Sequence, residues 1–309
     1  MQRSVPFIAF ALFSVPATAA DDLNWAYPVT PRPEAPDSLI LKQVPGSTKA
    51  YTQAQIDDPF NPPDWFPDQH PVMPPIVAQG QKPLVRACAQ CHLPSGNGHP
   101  ESASLAGLPV PYLLRQMTEF KNGGRKGVRA ATMIAIAQAT SDADSLAAAE
   151  YFSSLQPAIW TRVVETESVA KSYVGGGAMR FAAADGSVEP IGNRIIVLPQ
   201  DEERARARDP RSGFIDYVPA GSITQGEALV TSGGGKTIPC SICHGQTLRG
   251  IGELPGIAGR PPTYVVRQLH DMKTGARSGS SMALMKAVVD QLAIEDMIAI
   301  AAYLGSREP

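Results

Sequence analysis

The sequence predicts a mainly α protein made of two copies of one small helical domain. A proline-rich arm precedes the first copy, and a long segment with short β runs separates the two. Three observations carry this reading. A single offset of 152 lays residues 88–155 on 240–307 without a gap, with roughly a third of positions identical. Apolar residues inside each copy recur at helical spacing. Prolines crowd into the stretch before the first copy, and β-branched runs into the stretch between copies. The division is 1–20 leader, 21–75 arm, 76–155 first domain, 156–221 inter-domain segment and 222–309 second domain.

The leader reads MQRSVPFIAFALFSVPATAA: one Arg, an apolar run, then small residues. That is the layout of a secretory signal peptide, cleaved after Ala19 or Ala20 and too short to span a bilayer. No later segment is long and apolar enough to span, so the expected mature protein is soluble and periplasmic. In the arm, "YPVTPRPEAPDSL" and "DDPFNPPDWFPDQHPVMPP" hold too much proline for helix and too many aromatics for simple disorder. The arm packs on a domain, docks a partner with Trp65 and Phe66 at its centre, or merely wraps the surface. "PIVAQGQKPLVRA" ahead of residue 88 reads as a weak helix, like its counterpart "GEALVTSGGGK". A helix follows with Pro111 in its first turn and Gly123 at its end. Leu113, Met117 and Phe120 form its buried face, repeated as Val265, Leu269 and Met272. The last helix starts near Ser141, with Asp144 as capping-box partner. In the second copy Met297, Ile300, Ala301 and Leu304 mark it. Between the copies, "RIIVLP" and "GFIDYVP" read as short strands.

Charge is close to balance, with 27 Lys and Arg against 29 Asp and Glu. Nothing in it suggests a nucleic-acid or anionic-membrane partner. The four cysteines are Cys88, Cys91, Cys240 and Cys243, and both pairs have the form C-x-x-C-H, with His92 and His244 completing them. A disulfide leaves the shared histidine unexplained. Zinc sites draw two cysteine pairs into one fold, whereas these pairs lie in separate domains. A redox dithiol calls for a βαβ setting that is absent. Covalent haem attachment uses every feature: two thiols add to the vinyl groups and the adjacent imidazole turns onto the iron. A sixth ligand must come from downstream. Met133 and Met285 match under the offset, each 41 positions after its histidine, and are the candidates. Met282 faces Ala130 in the other copy, while Met117 and Met272 belong to the buried helix face. A His/Met pair raises the potential, which suits electron transfer. His70, His99 and His270 have no repeated counterpart and read as surface histidines. Arg125 and Arg277 recur, either as partners of haem propionates or as helix-end surface charges.

C-A-Q-C-H, then L-A-G-x-P-x-x-Y-L-L-R-Q-M, G-G-R, Met133, and S-D-A-D before A-A-E-Y-F resemble a class I cytochrome c domain. The doubled pattern is similar to the dihaem cytochrome c4 family, over about 88–155 and 222–307, roughly half of the chain. The resemblance implies two duplicated class I cytochrome c domains with one covalent haem c (iron) and His/Met ligation in each. It also implies one-electron transfer among respiratory or dehydrogenase partners: a quinol-oxidising complex, a terminal oxidase or a periplasmic dehydrogenase. The family proline whose carbonyl holds the proximal imidazole is Pro255 in the second domain, but Ala103 stands there in the first. A backbone carbonyl serves from either residue. The long inter-domain segment leaves the family's face-to-face haem arrangement open. The alternative is a haem enzyme, a dihaem peroxidase or sulfur-compound oxidoreductase with one displaceable axial ligand. The matched methionines favour a carrier, and no nucleophile, paired carboxylates or phosphate loop stands out elsewhere.

Overall fold

The protein was analysed as a computed structural model that describes residues 23–29 and 39–309. The leader lies outside the described residues, as does most of "YPVTPRPEAPDSL". Among them, no helix is long and apolar enough to cross a membrane.

The arm contributes one helical turn, α1 (Gln53–Ile56), closed by a Thr52–Gln55 capping box. Its aromatic centre faces inward. Trp65 is 2% exposed and its indole N–H donates to Ala207 O at 2.8 Å, while Phe66 lies under the Arg211 guanidinium at 3.5 Å. These rings, expected as a possible docking surface, are instead the core of a clamp between the arm and the inter-domain segment, together with Val44 and Ile56. Trp carries one apolar body and one donor, so burial requires an acceptor, and Ala207 supplies it.

The first copy holds α2 (Pro75–Ala78), α3 (Cys88–His92), α4 (Val110–Lys121), α5 (Ala131–Ala139) and α6 (Asp142–Ser154). The helix expected ahead of Cys88 shrinks to the single turn α2, because Pro71, Pro74, Pro75 and Pro83 crowd it. Pro111 sits in the first turn of α4, and Gly123 follows its end at φ 78°. Ser141 caps α6, accepting from Asp144 N at 3.1 Å. Ile76, Val77, Leu113 and Phe152 lie in the core of this copy.

The inter-domain segment is ordered around strands β1 (Thr161–Thr166), β2 (Ser168–Ala170), β3 (Ser172–Val174), β4 (Arg180–Ala182), β5 (Val188–Pro190), β6 (Ile196–Pro199) and β7 (Phe214–Pro219), with α7 (Glu202–Arg206) before β7. β1 pairs parallel with β7 and β6 antiparallel to it, giving the order β1-β7-β6. β2 pairs with β5 and β3 with β4, as two small antiparallel ribbons.

The second copy holds α8 (Ser222–Ser232), α9 (Ser241–His244), α10 (Pro262–Thr274), α11 (Met282–Val289) and α12 (Ile294–Gly305). Its α8 runs eleven residues where the first copy has one turn. Helix α12 is buried along almost its whole length because α8, α10 and the sheet all cover it. The largest core cluster therefore crosses every boundary of the chain. It takes Trp25 and Ala26 from the arm, Leu93 from the first copy, Trp160, Phe181 and Phe214 from the middle, and Val265, Leu269 and Met297 from the second copy.

Helix α8 meets α12 at Gly226. A Cβ there would lie 1.9 Å from Ala299 O, so a mid-helix glycine is tolerated despite its entropic cost. Gly226→Ala forces the two helices apart, and a loss of about 1–3 kcal/mol is expected from overpacking; urea unfolding of the variant measures it.

Asp216 is the anomaly of the sheet. It is fully buried on β7, in register with Val163 and Val197, and neither carboxyl oxygen has a hydrogen-bond partner. Burial pushes its pKa well above the ordinary carboxylate range. The folded state thus keeps a proton that the unfolded chain releases near roughly pH 4. Stability is fullest below that pH and falls as pH rises toward the folded-state value. Asp216→Val is expected to raise the unfolding midpoint at neutral pH, with the advantage shrinking toward pH 4. A gap that does not vary with pH would contradict a buried titrating carboxyl.

Candidate functional site

Helix α3 presents Cys88, Cys91 and His92 to a cavity of about 780 Å³. Met133, in the first turn of α5, lines the same cavity, with Leu113, Phe120, Ile136 and Phe152 among the apolar walls. His92 Nδ1 lies 2.8 Å from Ala103 O. A carbonyl can only accept, so Nδ1 carries the proton and Nε2 keeps its lone pair. Burial lowers the His92 pKa, keeping the ring neutral as a metal ligand must be. The substitution of the family proline by Ala103 has cost this contact nothing.

The second copy repeats the imidazole contact. His244 Nδ1 lies 2.8 Å from Pro255 O, and burial again lowers its pKa. Met285 packs against the main core from α11, the counterpart of α5, and Met282 opens that helix. No disulfide joins any of the four cysteines. Burial pushes Cys88 to about 12 and Cys240 to about 11. Such thiols lack the depressed pKa of a redox dithiol. Among the described residues, no group of three or more His, Cys, Asp or Glu could hold a metal ion, so a zinc cluster has no ligand set.

The polar end of the cavity is the seam between the two copies. Arg125 donates to Gln116 Oε1 at 3.0 Å and to Gln268 Oε1 at 2.8 Å. Arg277 donates to Gln268 Oε1 at 3.1 Å, Gln116 Oε1 at 2.8 Å and the Tyr112 hydroxyl at 3.2 Å. Under the offset of 152, Arg125 is the counterpart of Arg277 and Gln116 of Gln268, so the seam is self-complementary. The backbones join as well: Lys126 N donates to Ala276 O at 2.8 Å and Ser278 N to Gly124 O at 2.7 Å. Close approach is set by glycine. A Cβ on Gly279 would lie 2.0 Å from Glu119 Oε1, and one on Gly127 2.3 Å from Asp271 Oδ2. Glu119 and Asp271, Gly127 and Gly279 are again matched pairs.

Both arginines are thus interface groups rather than helix-end surface charges. Burial, then the neighbouring Arg277, pushes the Arg125 pKa below its ordinary value. Their side-chain acceptors named above are amide and hydroxyl oxygens, and Arg277 Nε is buried without a partner. Two confined guanidinium groups lining an otherwise apolar cavity suit a planar apolar ligand bearing carboxylates. Haem, with its vinyl and propionate groups, fits this donor set.

Several residues stand elsewhere than the sequence suggests. His99 is buried, not a surface residue: its ring packs on Phe214, and Nδ1 lies 3.4 Å from Met179 Sδ. Burial and the nearby Arg208 push its pKa down to about 3. His70 is largely covered and lies 3.1 Å from Asp64 Oδ1, and His270 is half-buried beside Tyr27. Met117, read as core, lines the cavity. Tyr27 of the arm and Gly176, Gly177 and Ala178 of the inter-domain segment also line it. They belong to no repeat, and periodicity gives no sign of them.

No family model matches the chain. It is 28% identical over 228 residues to the thiosulfate dehydrogenase electron acceptor of Thiomonas intermedia, covering 73% of this chain and 80% of that one. With cytochrome c4 of Azotobacter vinelandii it shares 25% over 228 residues, 70% of this chain and 82% of the relative. Cytochrome c-554(548) of Halomonas halodenitrificans is 33% identical over 78 residues, 25% of this chain but 94% of the relative. The chain belongs to the cytochrome c family. It is a dihaem class I cytochrome c of the c4 kind, an electron-carrying protein with two covalent haems c.

The seam of this cytochrome depends on two shared acceptors. Gln116→Ala removes one from both Arg125 and Arg277, leaving buried donors short. A loss of about 1.5–3 kcal/mol is expected, the range for a hydrogen bond to a charged group. Urea unfolding of the holoprotein, followed by haem absorbance, reads it out.

Proposed function

We propose that this cytochrome is an exported one-electron carrier in which Cys88 and Cys91 hold one haem, and Cys240 and Cys243 the other. His92 and His244 are the proximal ligands, Met133 and Met285 the distal ones. The observation that carries this reading is the single cavity lined by Cys88, Cys91, His92 and Met133, with the imidazole fixed by the Ala103 carbonyl. Haem iron supplies reversible one-electron exchange. The chain does the rest. The carbonyls of Ala103 and Pro255 fix each ring's tautomer and raise its basicity. The apolar walls exclude water, and Arg125 and Arg277 offer positive charge for propionates at the seam. Thioether sulfur is a soft ligand that favours ferrous iron and raises the potential.

Export rests on the leader. The electron donor we propose is a dehydrogenase acting on a small sulfur compound, supported by the likeness to the Thiomonas acceptor. Electrons then pass to a quinol-linked complex or terminal oxidase. A haem enzyme instead needs an axial position that opens to substrate, and a methionine candidate in each copy argues for two filled positions.

Met133→Ala and Met285→Ala are each expected to abolish one of two methionine–iron absorption bands of the oxidised protein and to lower one haem's potential. Met282→Ala should leave both bands intact; its loss of the second band would transfer the assignment to Met282. Rapid carbon monoxide binding by the unmodified protein, with multiple turnovers of peroxide, would favour the enzyme.

A further inference from the structure

The duplication places the same cysteine–histidine face twice in one molecule, and the two faces differ. In the first copy the centre of that face, at Gln90 and His99, is covered. Ala87 N donates to Pro59 O of the arm at 2.9 Å, and Arg208 of the inter-domain segment donates to Gln90 O at 2.7 Å. Gln90 and His99 are 6% exposed, the latter beneath Phe214 and Met179. Their counterparts under the offset of 152 are Ile242 and Ile251, which are 64% and 56% exposed. Ile238 and Leu254, the counterparts of Arg86 and Ser102, are exposed as well. These four residues fall in two short stretches, 238–242 and 251–254, on either side of the His244–Gly245 turn that packs on Ile251. Ile242 N donates to Pro239 O, a Cβ on Gly245 would lie 3.2 Å from Ile251 Cγ1, and Leu254 N donates to Ile251 O. At Gln90 and His99 a polar, covered surface has become an apolar, open one, while at the exposed Arg86 and half-buried Ser102 the change is from polar to apolar. The exposed Cys243 lies beside it.

The charged residues next in sequence to these four are paired within the chain. Lys236 pairs with Asp296 at 2.6 Å, Glu253 with Arg115 at 3.3 Å, and Arg249 with Glu308 at 3.7 Å. The face therefore offers a partner apolar surface and little net field. A strongly charged partner finds no complement here.

We propose that the face of Ile238, Ile242, Ile251 and Leu254 on the second copy is where a redox protein with an apolar, weakly charged contact surface docks, so that electrons enter and leave by the second haem. This rests on the carrier reading above. It names which end of the carrier works at the surface, while the first haem communicates through the seam. Contact of this kind is small and transient, and its rate is nearly independent of salt because no field steers it.

Stopped-flow electron exchange of the reduced holoprotein tests it. One probe is a cupredoxin whose copper-proximal face is apolar; the other is a lysine-ringed mitochondrial cytochrome c. Exchange with the cupredoxin should be the faster and hardly change between low and moderate salt. Ile242→Glu should slow it about tenfold or more, while Val72→Glu, at an exposed arm position, should not. Ile251→Glu, outside the attachment motif, serves as second variant, with the two-haem spectrum as the check on folding. Exchange undiminished in both Ile242→Glu and Ile251→Glu would overturn the docking proposal and leave the carrier reading standing. A salt-sensitive preference for the lysine-ringed probe would overturn it likewise. A parent dimer that Ile242→Glu converts to monomer would assign the face to a second copy instead. No exchange by the parent with either probe would overturn the carrier reading itself, and the docking face with it.

Discussion

The reciprocal hydrogen bonding of Arg125 and Arg277 with Gln116 and Gln268 is the constraint from which the arrangement of this cytochrome follows. Two like charges brought together out of water repel, and the cost is met by directing each at both amide oxygens. Because the same residue types come from both copies, one contact specifies its mate, as in a two-fold dimer interface. The glycines at 127 and 279 then decide how near the backbones come. Tyr112, Tyr264 and Asp271 line the polar end of the first cavity beside that closure.

Much of this was legible in the sequence because duplication doubles each signal. The offset of 152 points to Cys88, His92 and Met133, which the fold brings to one cavity, and the Ser141 cap and the Pro111 first turn obey local rules that need no tertiary knowledge. What stayed hidden depends on residues far along the chain. The absence of a mate for His99 suggested the surface, but its burial is created by Met179 and Phe214. Trp65 and Phe66 look like an exposed aromatic pair until Ala207 and Arg211 are placed over them. The role of Arg125 and Arg277 was undecidable for the same reason: each acceptor set includes the other copy.

The two copies have diverged in how they are supported. The second rests on a full-length α8 crossing α12 at Gly226, and on the sheet that covers α12. The first has only one turn ahead of its cysteines and is braced by the arm and by residues 208–214. Support that came from a helix in one copy comes from irregular chain in the other. Buried polar groups without partners occur in both settings: His99 Nε2 and both oxygens of Asp216 lie in or against that added chain, and the Glu119 carboxylate and Arg277 Nε lie at the seam of the copies.

The parallel pairing of β1 with β7 bears on the spacing of the two copies. Thr161 stands in register with Phe214, and Phe214 N donates to Trp160 O at 3.0 Å, so the chain returns to the point from which it left. Everything between is a closed excursion. The net displacement along the segment is the length of the six-residue strand, about 20 Å. As a tether, the segment is short however many residues it contains. Insertions in an open turn of the excursion, as at Gly186, would lengthen it and leave the distance it bridges untouched.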